Sequence, residues 1–525
     1  MAFDQDMFQR TIPEVLMRSA SRTPDKDAFI CGDARLSYAQ TVLAMRQLTT
    51  VLRKAGVGRG DRVAVFLPQS LESAVAIYGI LHAGAAFVPI DPATPPARMQ
   101  AILDKCGVRH LITQEGKRAD IARLIQTPHG LDLIVGLDAG LDAISTKSWA
   151  EVFAAMPSDG PQITDQDLSY VMWTSGSTGA PKGMTHVYRN GLIYAGNLAE
   201  THGLCADDRF LGLSPLHFDM AVMDYIAAPL VGATTIIVPE AVAKLPAALT
   251  CLAAQQRATV IYTVPFAMTQ MLHRGAMEKY DLTALRWMIF GGENFPAKHL
   301  RALMQALPQA RFANAFGPAE THQISSYTLP GPPEDGAAIP VGKPWRTLEA
   351  MVVDAKDHPV TPGEAGELLV RSPSCMLGYW DDPVRTDHAF FRRPLGGTLS
   401  QVFYRTGDLV RQDPDGMMYF LGRVGRQIKL RGFRIELDEV EAVLAAAPGV
   451  QDCAVVCDDT RQHLVGFLRP DAGQTPDLAR LKARCRDHLP PYAVPSELRV
   501  IRAFPRTGSA KIDRAALVRL ELDKD

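Results

Sequence analysis

The feature that most constrains the fold is an alternation of short apolar strands with helices over the first four-fifths of the chain. The stretch YAQTVLAMRQLTTVLRKAG (38–56) has apolar residues at helical spacing, and the short apolar run DRVAVFLP (61–68) follows it. SLESAVAIYGILHAG (70–84) and AAFVPI (85–90) repeat this pair. Because buried strands separated by helices form parallel sheets, we predict an α/β fold with parallel-rich sheets sandwiched by helices.

The pattern changes near residue 331. LEAMVVDAKDHPVTPGEAGELLVRSPSCMLGYW (348–380) has closely spaced strands with Pro and Gly turns, which predicts a small antiparallel sheet or β-barrel-like part. GRVGR (422–426) is a basic joint with two glycines, and the segments beyond it are typical of a small α+β domain. We therefore predict a large N-terminal domain over 1–421, a hinge at 422–426 and a C-terminal domain over 427–525.

Composition excludes several classes of function. A chain of 525 residues exceeds one ordinary core, and its net charge of −2 has both signs interspersed. This balance predicts neither a nucleic-acid nor a membrane partner. The N-terminal sequence lacks a signal-peptide pattern, and the eight scattered cysteines form no CxxC pair. These features favour a reducing, cytoplasmic location.

One loop points to phosphate chemistry. VMWTSGSTGAPKGM (171–184) begins as a strand and continues with glycines, hydroxyl residues and a lysine. Lys182 follows Pro181 and precedes Gly183, so the loop is not a Walker motif, and it lacks the GxSxG spacing of a hydrolase elbow. Backbone N–H groups and hydroxyls in such a loop bind phosphate oxygens. The alternative is a flexible surface turn.

The same loop resembles the signature of the adenylate-forming superfamily, which includes acyl-CoA synthetases, luciferases and the amino-acid adenylation domains of nonribosomal peptide synthetases. Further stretches resemble the superfamily's other motifs in order, and they match the amino-acid adenylation branch better than the acyl-CoA branch. They are LSYAQ (36–40), LHAGAAFVPIDPATPPARM (81–99), HFDMAV (217–222), GGEN (291–294), NAFGPAETH (314–322), GELLVRSPSCMLGYW (366–380), YRTGDLV (404–410), GRVGRQIKLRGFRIELDEVE (422–441), LPPYAVP (489–495) and PRTGSAKIDR (505–514). The resemblance implies that the C-terminal domain is mobile.

The resemblance implies that a carboxylate attacks the α-phosphate of ATP, releasing pyrophosphate and forming an acyl-adenylate. It assigns catalytic roles to Thr178, Glu320, Gly432 and Lys511, with Glu320 also holding Mg²⁺. The implied nucleotide-binding residues are Thr174, Ser175, Gly176, Ser177, Thr178, Gly179, Lys182, Asn314, Ala315, Phe316, Gly317, Ala319, Asp408, Arg423 and Lys511. The implied cofactors are ATP and Mg²⁺.

Five positions depart from the family pattern, among them Ser509 and Ala510, which replace the usual Asn-Gly before Lys511. Phe316 stands where a tyrosine usually stacks on adenine, and the ring face needed for stacking is kept. Ala319 replaces a threonine that contacts the α-phosphate. Gly425 replaces the usual hinge aspartate, and the conformational freedom of glycine suits a rotating joint.

Asp219 carries the prediction about the substrate. In the amino-acid branch this aspartate pairs with the α-ammonium group; the alternative is an N-cap for the following helix. By the same resemblance the other pocket residues are Met220, Met223, Thr263, Ile289, Gly291, Ala315, Gln323 and Ile324, with Lys511 at the carboxylate. None of those facing the side chain is charged, which predicts a small or medium uncharged amino acid.

The acceptor is predicted from the end of the chain. Only 14 residues follow Lys511, so we expect a free-standing acyl or peptidyl carrier protein whose phosphopantetheine thiol attacks the adenylate. Gly432 would lie near the thiol. Competing hypotheses are an acyl-CoA or fatty-acyl-AMP ligase, a D-alanine–carrier protein ligase, and a nucleotide-binding regulatory module without catalysis.

Overall fold

The structure is a computed structural model that describes residues 11–141, 144–174, 176, 181–458, 462–471, 474, 476–506 and 512–522. The helices are α1 (Ile12–Arg22), α2 (Tyr38–Lys54), α3 (Leu71–His82), α4 (Pro96–Cys106), α5 (Arg118–Leu124), α6 (Trp149–Phe153), α7 (Tyr188–His202), α8 (Ala228–Val231), α9 (Glu240–Ala243), α10 (Pro246–Gln255), α11 (Pro265–Arg274), α12 (Ala297–Ala306), α13 (Pro383–Ala389), α14 (Leu437–Ala445), α15 (Leu478–His488) and α16 (Arg514–Leu522). Of the described helices, none is both long and apolar enough to span a membrane.

The strands of the N-terminal region are β1 (Asp27–Cys31), β2 (Ala34–Ser37), β3 (Arg62–Val65), β4 (Ala86–Pro89), β5 (His110–Ile112), β6 (Leu133–Val135), β7 (Ser145–Lys147), β8 (Leu168–Thr174), β9 (Lys182–Val187), β10 (Arg209–Gly212), β11 (Thr234–Ile237), β12 (Val260–Thr263), β13 (Trp287–Gly291), β14 (Arg311–Phe316), β15 (Ser325–Thr328) and β16 (Lys343–Pro344). The later strands are β17 (Glu349–Val353), β18 (Ala365–Arg371), β19 (Gly378–Tyr379), β20 (Phe390–Gly396), β21 (Leu399–Gln412), β22 (Met418–Arg423), β23 (Gln427–Leu430), β24 (Phe433–Glu436), β25 (Val450–Asp458), β26 (His463–Pro470) and β27 (Glu497–Val500).

Two large sheets confirm the predicted α/β class. Strands β14, β13, β12, β10, β11 and β1 run parallel in one sheet, and β8, β4, β3, β5, β6 and β7 run parallel in the other. Antiparallel strands extend both sheets at their edges, with β2, β15 and β16 on the first and β9 and β19 on the second. The helix–strand alternation predicted the parallel centre but not these edges.

Helix α3 ties the two sheets together. It begins at Ser70, whose hydroxyl accepts the N–H of Ser73, and it is buried on all sides from Ser73 to His82. It contacts β1 and β2 of the first sheet and β3 and β4 of the second. A helix that is apolar all round needs such a position between two layers, so the main hydrophobic core lies around α3.

The smaller parts follow the predicted change of pattern. Strands β17, β18, β21, β20 and β22 form an antiparallel sheet, the first of the two architectures predicted for this region. After it, β23 pairs with β24, and β25, β26 and β27 form a sheet packed against α14 and α16. This is the predicted α+β C-terminal domain. All eight cysteines are free.

The predicted hinge coincides with a change of partners. Arg423 forms an ion pair with Asp408 of the small antiparallel sheet. Three residues later, Arg426 pairs with Asp438 and Glu441 of α14. Between the two arginines, Gly425 has a φ of +102°, which glycine adopts without strain. The boundary at 422–426 and rotation about this joint stay predictions.

One glycine in the second sheet provides a test of its packing. Gly136 has a φ of +101°, and a Cβ there would lie 1.8 Å from the carbonyl oxygen of Thr113. We expect Gly136→Ala to lower the free energy of unfolding by about 3 kcal/mol, measured by urea denaturation. Gly140→Ala is the matched control, because no heavy atom lies within 4 Å of its added Cβ. Equal stability of the two variants would contradict this packing.

Candidate active site

The predicted site residues gather where parallel strands end. Asp219, Thr263 and Gly291 stand after or at the carboxyl ends of β10, β12 and β13, and Phe316 ends β14. Thr174 ends β8 in the second sheet. Ligands of open α/β sheets bind at this edge. Lys182 Nζ of β9 lies 3.5 Å from Glu320 Oε1 in the turn after β14, so the two edges face each other.

The phosphate loop is described in part. Ser175, Ser177, Thr178 and Gly179 lie outside the described residues. Gly176 is buried; burial raises the pKa of the Glu439 carboxyl, and the Gly176 N–H lowers it in part. Thr174 Oγ1 is buried without a hydrogen-bond partner among the described residues. Thr174 Oγ1 is therefore an available donor in the place where the sequence predicts phosphate binding.

Lys182 is the described cation of this loop. Its side chain is buried, lies 5.2 Å from the ring centre of Tyr379, and faces Glu320 and Glu436. Burial and the nearby Arg434 lower the pKa of Lys182 to about 8, although both glutamates oppose this effect. A lysine in this setting keeps its charge at pH 7 and binds phosphate as a point charge.

Glu320 is the most enclosed charge of the site. Its side chain is fully buried and is the acceptor for Tyr379 Oη at 3.0 Å and Arg434 Nη1 at 2.7 Å. Burial opposes ionisation, but Arg434 and Lys182 together hold the pKa of Glu320 well below its usual range. The carboxylate is therefore ionised at neutral pH, as a cation ligand must be.

These donors fit magnesium that arrives with a nucleotide. Magnesium is usually bound by one or two carboxylates together with phosphate oxygens, and Glu320 offers one ionised carboxylate beside the phosphate loop. In the described part of the chain, no three His, Cys, Asp or Glu side chains come together as a metal cage. Magnesium at Glu320 would thus rely on phosphate oxygens for its other ligands.

The predicted nucleoside residues come from two sheets, with Asp408 on β21 of the small sheet and Asn314 and Phe316 on β14 of the first large sheet. Asp408 is buried, and its carboxylate oxygen lies 3.2 Å from Arg423 Nε. Burial raises the pKa of Asp408, and Arg423 offsets part of this rise. Phe316 has its ring centre 5.9 Å from that of Phe420, and Asn314 Nδ2 donates to the Pro340 carbonyl at 2.9 Å. The Asn314 side chain therefore fixes the loop that contains Pro340, in addition to its place at the predicted site.

Tight packing explains two small residues of the predicted nucleotide motif. A Cβ on Gly317 would lie 2.2 Å from the carbonyl oxygen of His322, so no larger residue fits that turn. Ala315 is buried, and its carbonyl oxygen would meet a Cβ on Gly291 at 2.7 Å. Ala319 packs partly buried on the main core. These residues shape the backbone of the site.

Asp219 stands in the turn before a short π-helix, Met223–Ala227. Burial raises the pKa of its carboxyl to about 6, Lys429 lowers it in part, and Glu320 raises it further. Burial lowers the pKa of Lys429, and both Asp408 and Asp219 raise it in part. The predicted ammonium ligand and the predicted ribose ligand thus share one electrostatic environment. A carboxylate with so little compensation is suited to a cationic ligand.

The remaining pocket residues differ in their surroundings. Met220 is half-buried, while Met223, Thr263, Ile289, Gly291, Ala315 and Gln323 are buried. Gln323 Nε2 donates to the Ser325 carbonyl at 3.0 Å, and its Oε1 has no hydrogen-bond partner among the described residues. Ile324 belongs to the core of the small sheet. Their common role as a pocket stays a prediction, and Lys511 lies outside the described residues.

The C-terminal domain closes over this edge. Gly432, with a φ of +86°, would place a Cβ 2.7 Å from Val264 Cγ1, and its N–H donates to the Glu293 carboxylate. Glu293 of the GGEN stretch is thus the acceptor of the Gly432 N–H. The role of Gly432 near a thiol stays a prediction.

Comparison with known proteins identifies two matched regions in this chain. The AMP-binding enzyme family matches residues 16–380, and the AMP-binding enzyme C-terminal domain matches residues 439–511. The chain belongs to the AMP-binding enzyme family. ATP use follows from this membership. The first match covers the parallel sheets and the phosphate loop, and the second covers most of the C-terminal domain.

Individual relatives indicate which members of the family this chain is similar to in sequence and length. The L-proline–[L-prolyl-carrier protein] ligase of Pseudomonas fluorescens is 32% identical over 522 residues, covering 97% of this chain and 99% of that protein. The isonitrile lipopeptide synthase of Mycobacterium tuberculosis is 33% identical over 512 residues, covering 97% of this chain but only 19% of that protein. The predicted enzyme class, a ligase, is confirmed by the full-length homology to the first.

A solved structure confirms the fold. The adenylation domain AlmE of Vibrio cholerae, in complex with glycyl-adenosine-5′-phosphate, superposes with a TM-score of 0.85 at 22% identity, covering 98% of each chain. The agreement extends over both the large and the small domain, which confirms the predicted architecture.

Sequence reasoning missed several groups that the fold brings to the site. Arg98 comes from α4, Tyr379 from β19, and Arg434, Glu436 and Glu439 from the C-terminal domain. The last three lie inside the quoted stretch 422–441, so their motif was visible, but their partners are distant in sequence. Arg98 and Glu439, for example, are 341 residues apart.

The negative charge on Asp219 should lower the free energy of unfolding of the ligand-free protein. Its folded pKa is raised from 3.8 to about 6, so stability is lost as the pH rises through that interval. We expect Asp219→Asn to raise the free energy of unfolding at pH 8 by about 1–2 kcal/mol, and by much less near pH 4. Urea denaturation at both pH values measures this, with exposed Asp207→Asn as control. A destabilised variant at pH 8 would contradict it.

Proposed function

We propose that this enzyme activates an amino acid with ATP and transfers the aminoacyl group to a carrier protein. The observation that carries the proposal is Asp219, a carboxylate at the carboxyl edge of the parallel strands, beside the predicted nucleotide residues and poorly compensated by charge. An α-ammonium group would supply the missing partner. The near-complete coverage of a carrier protein ligase supports the same activity.

The first half-reaction brings two anions together. The substrate carboxylate attacks the α-phosphate, the bond to the β-phosphate breaks, and pyrophosphate leaves. Lys182 and the loop 174–182 would hold the pyrophosphate oxygens, and Asp408 would accept the ribose hydroxyls. Magnesium held at Glu320 would neutralise charge on the leaving group. Lys511 would bridge the substrate carboxylate and the α-phosphate.

The substrate is proposed to be small or medium and uncharged. The apolar residues Met220, Met223 and Ile289 surround the predicted side-chain space, and no ionised partner for a charged side chain is predicted there. Met side chains adapt to irregular shapes. A proline-sized substrate, as named for one relative, fits this description.

The second half-reaction needs a thiol. We infer that the phosphopantetheine thiol of a free-standing carrier protein attacks the carbonyl carbon of the aminoacyl-adenylate, forming a thioester and releasing AMP. Gly432, pressed on Val264, would allow the approach of the pantetheine arm along the backbone.

A pyrophosphate exchange panel tests this function. Exchange of labelled pyrophosphate into ATP is measured with each amino acid and with fatty and aryl acids, and the mass of a holo-carrier protein is then followed with the best substrate. We expect exchange only with one or a few small or medium uncharged amino acids, and an aminoacyl mass shift on the carrier. Exchange with fatty acids alone would support the acyl ligase alternative and refute the proposal.

Lys511→Ala provides the mutational test in the same assay. Because Lys511 would stabilise charge in the transition state, we expect exchange to fall by about 100-fold or more while ATP binding changes little. Lys482→Ala is a control, since its ammonium group donates to the Ser496 carbonyl inside the C-terminal domain. Wild-type exchange in Lys511→Ala would remove Lys511 from the chemistry.

Gly425→Pro tests the proposed hinge. Proline fixes φ near −65°, whereas Gly425 has a φ of +102°, so the variant cannot adopt this orientation without strain. We expect exchange to stay within about threefold of wild type and carrier loading to fall by about 10-fold or more. Normal loading by the variant would place the pivot elsewhere.

A further inference from the structure

A mostly buried imidazole lies two residues before Asp219, and the half-reactions described above give it no role. His217 Nε2 lies 3.8 Å from Asp91 Oδ2, and the two side chains are 13% and 20% exposed. Asp91 follows β4 of the second sheet, and its Oδ1 accepts the Ala93 N–H at 2.8 Å. The turn therefore holds Asp91 in place, with its other oxygen on the side of the imidazole.

The surroundings of His217 keep its imidazole neutral. Burial lowers its pKa from the usual value of 6.5, and Asp91 raises it in part. At pH 7 one ring nitrogen carries a proton and the other can accept one. Nε2 is buried without a hydrogen-bond partner among the described residues, and it faces the Asp91 carboxylate. We assign the proton to Nε2, which leaves Nδ1 as the acceptor.

A row of rings connects His217 to the residue predicted to lie near the thiol. The ring centre of His217 is 4.7 Å from that of Phe218, and Phe218 is 5.6 Å from Phe433 of the C-terminal domain. Phe433 directly follows Gly432. On its other side, His217 is two residues from Asp219, the predicted ammonium ligand. His217 thus lies between the predicted positions of the acyl group and of the thiol.

The other titratable groups near this row are matched or neutral. Phe433 stacks on Tyr492 with ring centres 4.0 Å apart. Burial raises the pKa of Tyr492, Arg98 lowers it in part, and Asp91 and Glu439 raise it. Arg98 pairs with Glu439 at 2.6 Å. Among the described residues, Asp91 is the charge that acts on the pKa of His217, so Asp91 controls its basicity.

Thioester formation needs a group that takes a proton. The thiolate rather than the thiol is the nucleophile, and an alkyl thiol has a pKa of about 8.5, so only a few per cent is ionised at pH 7. A neutral imidazole beside the thiol removes this limit, because it accepts the proton as the sulfur attacks. Histidine–carboxylate contacts of a ligand-free site are often long and shorten when the reactants bind, which suits the 3.8 Å separation here.

We propose that His217 is the general base of thioester formation and that Asp91 is its positioning residue. The inference rests on the proposed function. The thiol proton passes to His217 Nδ1 while the sulfur forms a bond to the carbonyl carbon of the aminoacyl-adenylate. The bond from that carbon to the phosphate oxygen breaks, and AMP leaves with the electron pair. Water then takes the proton from the imidazolium, and no redox change occurs.

His217→Gln tests the base through the pH dependence of carrier loading. The rate of loading is divided by the rate of pyrophosphate exchange of the same variant, at pH 7 and at pH 9. We expect this ratio to fall by about 10-fold from wild type at pH 7 and to come within about twofold at pH 9, because the thiol there ionises without a base.

His358→Gln is the matched control. His358 Nδ1 lies 3.6 Å from Asp354 Oδ2 in an exposed pair of the same type, and its loading ratio should equal that of wild type at both pH values. An unchanged ratio for His217→Gln at pH 7 overturns the proposal. A loss of equal size at pH 7 and pH 9 also overturns it, because that result indicates an altered shape rather than a missing base.

Hydroxylamine provides a second readout on the same variant. It attacks the aminoacyl-adenylate as a neutral amine, so no thiol has to lose a proton. We expect the ratio of hydroxamate formation to exchange in His217→Gln to stay within about twofold of wild type at pH 7, while the loading ratio falls. A loss of about 10-fold with hydroxylamine as well would contradict the role of His217 as a base.

Asp91→Asn tests the positioning residue. The loading rate rises with pH as the base loses its proton, and removal of the Asp91 charge lowers the pKa of His217. We therefore expect the acid limb of the loading profile to move to lower pH. A limb that stays in place contradicts the role of Asp91. A wild type that neither exchanges pyrophosphate nor loads a carrier refutes the proposed function, whereas normal wild-type loading with an unchanged His217→Gln ratio refutes the general base alone.

Discussion

The site depends on one buried carboxylate. Glu320 has no exposure to solvent, so its charge must be compensated by neighbours rather than by water. Lys182 from the second sheet and Arg434 from the C-terminal domain provide that compensation. This requirement joins three separate parts of the chain around one point, where the phosphate loop, the turn after β14 and the C-terminal domain meet.

The same electrostatics separates the two ends of the site. Around Glu320 the positive charges of Arg434 and Lys182 outweigh the effect of burial, and the pKa of its carboxyl is held low. Around Asp219 the effect of burial outweighs that of Lys429, and the pKa of the Asp219 carboxyl rises to about 6. The Glu320 carboxylate is already paired with cations of the protein. The Asp219 carboxylate lacks such pairing and is suited to bind a cationic group of a ligand. An amino acid beside a nucleotide satisfies both.

Much of the fold follows from local pattern, because a buried parallel strand and an amphipathic helix each have a recognisable period. The sequence of residues 38–90 was sufficient to predict α2, β3, α3 and β4. The Pro and Gly turns of residues 348–380 were sufficient to predict antiparallel pairing. The antiparallel edges β9 and β15 were missed, since an edge strand depends on its neighbour's position. The phosphate loop, Glu320 and Asp219 were found because their motifs are local in sequence.

The sequence by itself determined the α/β class and the family, and it predicted the residues that do the chemistry, because these depend on periodicity and on short motifs. Only the tertiary structure decided which of those residues meet. Arg98 and Glu439 pair across 341 positions, and Arg434 reaches Glu320, because domain packing rather than local spacing places them. Charge compensation in a buried site depends on distance in space, and a linear sequence does not contain that distance.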